Sequence, residues 1–361
     1  TALAALAHDP SPEVRQSVAT ALGAIGTDES AHALVPLLAD PNERVRREAV
    51  LGYGRRVDPE VVTVVRKFLA DPARRVRVAA AVVLGRQRDR ESVPLLLERL
   101  TVPGTWEKPA VLVALGRIGS VEAVPALVAA CEHPAHWVRV CALHALGDLG
   151  VPEARTAALV HARDSAWAVR GAAAIALGTA GAIDDLPVLL ELLRDDHPWP
   201  RRGATYAIGR LGLSEAAPRV REELNDPAAE VKLAAVWALG RLGDDGARDD
   251  LVRLLYGVRP GEADDVDLRA ADPEDDRPLR SDAESRLFDA AVQALGRLSR
   301  GAPDPLVHRA LTDVRERLSE EELDRLARLP LPEVAADRSP PTLRTLFETA
   351  IPTGVYDEDP V

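Results

Sequence analysis

Along most of the chain, apolar residues fall at helical spacing in pairs of short segments, and the pattern returns every 31 residues. Its fullest copy runs from His133 to Gly150: a Pro turn, then Val-Arg, then Ala and Ala-Leu-Gly at fixed offsets, and a second Gly three residues on. Aligned on the Gly of Ala-Leu-Gly, the copies stand at Gly23, Gly54, Gly85, Gly116, Gly147, Gly178, Gly209 and Gly240, with a ninth at Gly296 after 25 extra residues. Periods of this length belong to stacked supersecondary units that bury a core only by packing on their neighbours. Each unit reads as two helices. The first is apolar at helical spacing, as in Val93, Leu96, Leu97 and Leu100, or Val124, Leu127 and Val128. The second carries Val at position 0 with Ala, Ala and Leu at +4, +7 and +8, and closes at Gly, which tolerates a left-handed C-terminal turn. Between them, Asp9-Pro10, Asp40-Pro41, Asp71-Pro72 and Asp226-Pro227 offer a carboxylate to cap the second helix and a Pro for its first turn. The expected fold is all-α, a right-handed α-solenoid of stacked antiparallel helix pairs.

The array of about nine units takes residues 1–300 as one domain, because a repeat core grows continuously. The extra residues form an acidic loop at 257–281, where Glu262, Asp264, Asp265 and their neighbours have too little apolar content to offset ordering entropy. Residues 301–330 lose the period and read as a polar helical cap, and 331–361 as a Pro-rich tail. The chain opens on what looks like the last turns of a helix, so it reads as a piece of a longer protein.

These residues resemble HEAT repeats of the short bacterial kind, the phycobilisome-lyase-like HEAT family, over about residues 1–300. The resemblance implies a HEAT/armadillo-like superhelix whose second helices line the concave side. It also implies a ladder between repeats from the turn Asp and the Arg after Val: Asp9, Asp40, Asp71, Asp164, Asp195 and Asp226 with Arg15, Arg46, Arg77, Arg139, Arg170, Arg201 and Lys232. The fourth unit departs from the pattern of the ladder, with Pro103-Gly104 for Asp-Pro and Glu107-Lys108 for Val-Arg.

Within the second helix, positions −1, +2, +3, +6 and +10 lie opposite the core positions, since 3.6 residues make a turn. All five tryptophans fall in five successive units, four of them at or next to the helix mouth. The expected partner-binding stripe is Trp106, Trp137, His144, Trp167, Trp199, Arg202, Tyr206, Arg210, Trp237 and Arg241, because large aromatics beside Arg are common recognition anchors. The plainer alternative is that Trp at −1 packs across the turn between units.

Charge and composition narrow the tasks. A net charge of −12 disfavours a nucleic-acid coat, whose affinity comes mainly from neutralised phosphates. Two cysteines, Cys131 and Cys141, are too few for a secreted disulfide framework and fit a reducing, cytoplasmic setting. No run of 18 apolar residues is present to span a membrane. No His is followed by Glu, as a HEAT-type di-iron hydroxylase would need, and His133, His136 and His144 with the two cysteines lack metal-site spacing. No metal, cofactor or catalytic residue is expected. The doublets Asp184-Asp185, Asp244-Asp245 and Asp249-Asp250 read as solvated helix starts. The expected function is a noncatalytic scaffold that binds a protein or peptide along the concave face. Two rivals stand beside it: bilin lyase or isomerase activity, which the family's name implies, and DNA binding in the manner of HEAT-like alkylpurine glycosylases.

Overall fold

A computed structural model describes residues 2–255, apart from 57, 103, 105 and 106, together with residues 290, 291, 294, 295 and 298. The acidic insertion at 257–281, the cap at 301–330, the tail at 331–361 and Trp106 lie outside the described residues. The chain gathers into two compact units, Thr1–Ala207 and Ile208–Val361. Every element of both, among the described residues, is helical.

In the first unit the second helices of repeats one to seven are Pro12–Ile25, Glu43–Tyr53, Arg74–Arg86, Lys108–Ile118, His136–Leu149, Trp167–Ala180 and the start of Pro198–Leu211. From the first to the sixth, each packs directly on the next, and the first helices, such as Val93–Thr101 and Pro152–His161, cover them from one side. Val45, Val76, Val138 and Val169 at position 0 and Leu22, Leu84, Leu115, Leu146 and Leu177 at +8 are buried. Each such side chain contributes roughly 1.5–3 kcal/mol of transfer free energy. Val128, expected in the core, is exposed on its first helix. The described part of the second unit repeats the scheme in Ala217–Glu222, Ala229–Leu242 and Arg248–Leu255.

The Gly of Ala-Leu-Gly has a role different from the one expected. It does not close the helix in a left-handed turn; it sits where neighbouring second helices touch. A Cβ on Gly85 would stand 2.7 Å from the Cα of Ala114, one on Gly116 the same distance from that of Ala145, and one on Gly178 2.9 Å from that of Ala207. In the second unit Gly209 meets Ala238 in the same way, at 2.7 Å. At these four junctions the partner is the +7 Ala of the next repeat; at the first two it is the +7 residue Gly52, facing Gly23, and Val83, facing Gly54. The left-handed turn belongs to the second Gly, three residues later: Gly26, Gly119, Gly150, Gly212 and Gly243 have φ between 65° and 77°. There a side chain would be strained, which is why Gly recurs.

The turn Asp also acts differently from a helix cap. Asp40 Oδ1 accepts the backbone N–H of Asn42 at 2.8 Å, and it is Asn42 that caps Glu43–Tyr53 by accepting from Arg44 N. Asp71 and Asp164 likewise accept from Ala73 and Ala166. Each Asp forms a turn two residues ahead of its helix, because its carboxylate is also held by an Arg of the repeat before.

Candidate functional site

Each ladder Arg spans two turns. Arg15 donates from Nε and Nη2 to Asp40 at 2.6 and 3.0 Å, while its Nη1 donates to the carbonyls of Asp9 and Pro10 in its own turn. Arg46 with Asp71, Arg139 with Asp164, and Arg170 with Asp195 repeat this two-pronged geometry at 2.6 to 2.9 Å. Although burial opposes ionisation, the Arg partners and the turn amides hold the carboxyls of Asp40, Asp71, Asp164 and Asp195 below the ordinary Asp range. The fourth unit supplies a replacement that its sequence hides: Glu107 accepts from Arg77 Nε at 2.6 Å and from Arg99. A longer side chain, reaching from later in the turn, completes the third-to-fourth rung. Between the fourth and fifth repeats Lys108 faces the place of His133, two basic groups with no ion pair between them among the described residues. His133 accepts the Ala135 N–H as the turn Asp does elsewhere, and burial, then Lys108, holds its pKa below the usual imidazole value.

A second tier of pairs is not announced by the repeat pattern. Asp185, expected to be a solvated cap, is 2% exposed and takes Arg155 in a two-pronged pair, because this turn is covered by the first helix of the repeat before. Arg66 holds Asp89 in the same way, at 2.6 Å.

The expected binding stripe is narrower than its five positions suggest. In the fifth repeat Trp137 and Asp148 are exposed, yet Cys141 and His144 are buried, His144 to 4%. His144 Nε2 meets no partner among the described residues, and burial pulls its pKa down to about 4, so the imidazole is neutral. His144 is therefore a core side chain and not a surface contact. Val113 and Ile175, at the same position in the flanking repeats, are buried as well. A second helix here has neighbours on both flanks as well as its own first helix, so +3 and +6 fall inside the flanks. Cys131 and Cys141 are buried and unpaired, and burial pushes both thiols up to about 12. That leaves them un-ionised and unreactive.

The tryptophans divide by environment. Trp137 and Trp167 are each 40% exposed. Trp137 meets His136 edge to face, with ring centroids 5.2 Å apart, and Trp167 stacks on His197 from the next turn at 3.8 Å and 10°. Trp199 is half-buried and lies in a notch that Gly171 leaves open, where an added Cβ would come within 1.8 Å of the ring. Arg202 sits 4.9 Å over the ring. Trp199 thus packs against the neighbouring helix at Gly171. In the second unit Trp237 is half-buried beside Gly209, with the exposed Arg241 5.3 Å over its ring. Tyr206 and Arg210 are half-buried. Among the described residues, no group of three or more His, Cys, Asp or Glu could hold a metal ion, and no helix is long and apolar enough to cross a membrane.

Helix pairs at a fixed period, tied by packed second helices and Arg–carboxylate rungs, define an all-α repeat solenoid. The family model for HEAT repeats matches residues 1–52, 32–111, 106–178, 138–209 and 186–260, and the chain belongs to that family. A comparison with curated proteins finds no match. Among solved structures, the complex of CpcE and CpcF of phycocyanin lyase from Nostoc sp. PCC7120 is similar at 23% identity and a TM-score of 0.43, covering 66% of this chain and 85% of that one. The YibA protein of E. coli is similar at 17% identity and a TM-score of 0.47, over 81% of this chain and 98% of its own. Human deoxyhypusine hydroxylase in complex with glycerol is similar at 18% identity and a TM-score of 0.32, over 67% of this chain and 94% of its own.

Proposed function

We propose that the chain is a noncatalytic scaffold that receives a protein or peptide partner at the mouths of its second helices, anchored by Trp137 and Trp167. The observation that carries this reading is their exposure. Two indoles on successive repeats keep 40% of their surface in water while an imidazole braces each one. The exposed part of each indole is not used by the stack, and rigid, pre-positioned aromatics lose little entropy when a partner covers them. Arg202, beside Trp199, adds a polar contact at the same edge.

The test is an affinity capture with the intact protein and a Trp137→Ala/Trp167→Ala variant, followed by calorimetry with each protein recovered. A partner whose affinity falls at least about tenfold in the variant, with the fold unchanged by circular dichroism, supports the reading. Equal affinity for both would overturn it. The other reading, a tetrapyrrole held on the same rings, is tested by the absorbance of a bilin mixed with the protein. A shifted spectrum lost in the same variant would replace the scaffold with a chromophore site.

A further inference from the structure

The chain is acidic overall, but residues 43–118 are not: they hold sixteen Lys and Arg against nine Asp and Glu. Arg46, Arg66, Arg77 and Arg99 are paired with carboxylates of the same stretch. Three of the arginines outside those pairs stand in register. Arg55, Arg86 and Arg117 occupy position +10 of the second, third and fourth repeats, just after or in the last turn of successive second helices. Arg55 and Arg86 are exposed and Arg117 half-buried, and among the described residues their guanidinium groups make no hydrogen bond and no ion pair. The three feel one another. Burial first, then the charges of Arg117 and Arg55, hold the pKa of Arg86 below its ordinary value, although the side chain reaches solvent.

A basic residue at a helix C-terminus has an ordinary explanation, the helix dipole, which rewards a cation there by roughly 0.3–1 kcal/mol. That explanation does not require the column. The fifth repeat places Asp148, and the first Ala24, at the same position on longer helices of the same kind. Nor does the dipole account for keeping three like charges in line where each raises the cost of the next. Such a line is stabilised when an anion lies along it. Beside it lie two apolar side chains that keep part of their surface in water, the half-buried Leu51 and Val82 at +6.

We infer that the Arg55, Arg86 and Arg117 column, with Leu51 and Val82 beside it, is a docking track for an acidic peptide of a protein partner, held in extended polyproline II form with a carboxylate at every third residue. The spacing supplies the form. Helices packed through Gly and Ala, as at Gly85 and Ala114, lie at the close end of the usual separation of about 8–10 Å. A polyproline II chain rises about 9 Å per three-residue turn and returns every third side chain to the same face. One turn of peptide therefore advances one repeat, and i, i+3 and i+6 carboxylates meet three guanidiniums. A β-strand, which alternates faces every residue, cannot present that series. This inference rests on the proposed function only in taking the second helices as the receiving side; it uses other residues.

The experiment is fluorescence anisotropy of the full chain with a rhodamine-labelled peptide of repeating Glu-Pro-Pro, against the same peptide with Gln for Glu. Arg55→Gln/Arg86→Gln/Arg117→Gln is measured in parallel, with circular dichroism melting to show that it folds like the parent. The expected result is binding of Glu-Pro-Pro that weakens at least about tenfold for the Gln peptide, and as much for the triple variant, and that falls as salt rises from low to physiological strength. Trp137→Ala/Trp167→Ala should leave this binding in place. Equal binding of both peptides, or indifference to the triple variant, would overturn the track while leaving the tryptophan edge to its own test. Duplex DNA or heparin that displaces the peptide and binds more tightly through the same arginines would overturn the peptide as occupant and assign the column to a polyanion.

Discussion

Gly116→Ala separates two opposite expectations at one atom. Judged as a helix interior, the change should stabilise, since Ala exceeds Gly in helix propensity by about 1 kcal/mol. Judged from the packing, it should destabilise: the new Cβ would stand 2.7 Å from the Cα of Ala145 and 2.8 Å from its Cβ. Carbon atoms rest at about 3.5–4.0 Å, so the two helices must part by roughly 1 Å. No rotamer can relieve a clash with backbone. Overpacking of this kind costs about 1–3 kcal/mol, and a clash with backbone belongs at the upper end. After the propensity gain is subtracted, a loss of about 2 kcal/mol remains. This junction is the sensitive place to measure it, because Lys108 and His133 supply no ionic rung between the fourth and fifth repeats. Guanidinium unfolding followed by circular dichroism, fitted with a nearest-neighbour repeat model, reads the interface energy directly. Adding Ala145→Gly should restore only part of the loss, since the new methyl would still press on the backbone of the facing helix. A Gly116→Ala protein as stable as the parent, or more so, would refute the packing role of the glycine column.

Two further outcomes follow from the buried polar groups. Asp164→Ala leaves Arg139 without its two-pronged partner and the Ala166 N–H without an acceptor, and should cost about 2–4 kcal/mol in the same unfolding assay; a loss under about 0.5 kcal/mol would show the rung to be ornamental. His144 titrates at about 4 in the fold against 6.5 as a free imidazole, so the unfolded chain binds the extra proton between those values. Stability should be fully present above pH 6.5 and fall by up to about 3 kcal/mol as pH drops to 4. His144→Gln should flatten that slope, and an unchanged slope would place the titrating group elsewhere. The rung carboxylates, held below the ordinary Asp value of 3.8, give up their contribution only as pH falls further, which keeps the two effects apart.

The parts legible in the sequence are those that every repeat spells with the same letters. Val at position 0, Ala at +4 and Leu at +8 need only a 3.6-residue turn and a hydrophobic side to be placed, and the interval between Arg15 and Asp40 recurs at Arg46 and Asp71. What cannot be read depends on a third dimension. The Gly of Ala-Leu-Gly is misplaced as a helix stop because it answers to a neighbour 29 residues away, as Gly116 does to Ala145, and not to its own helix. Treating the second helix as one-sided puts His144 on an open face, when that helix is enclosed on three sides. Glu107 gives no signal because its position is Val's in the repeat, and only its reach to Arg77 shows it standing in for Asp. Trp137 and Trp199 occupy the same register, yet only the latter faces a notch, and Gly171 alone could have signalled it.

The clasp formed by each ladder arginine also has a direction in time. Arg15 is synthesised before the Asp40 it will hold, and Arg139 before Asp164, so at each such rung the guanidinium leaves the ribosome ahead of its acid. Growth of the stack is thereby a sequence of latches that close behind the emerging residues. Where Lys108 and His133 omit the latch, a pull on the two ends of repeats one to six in an optical trap should part the molecule first.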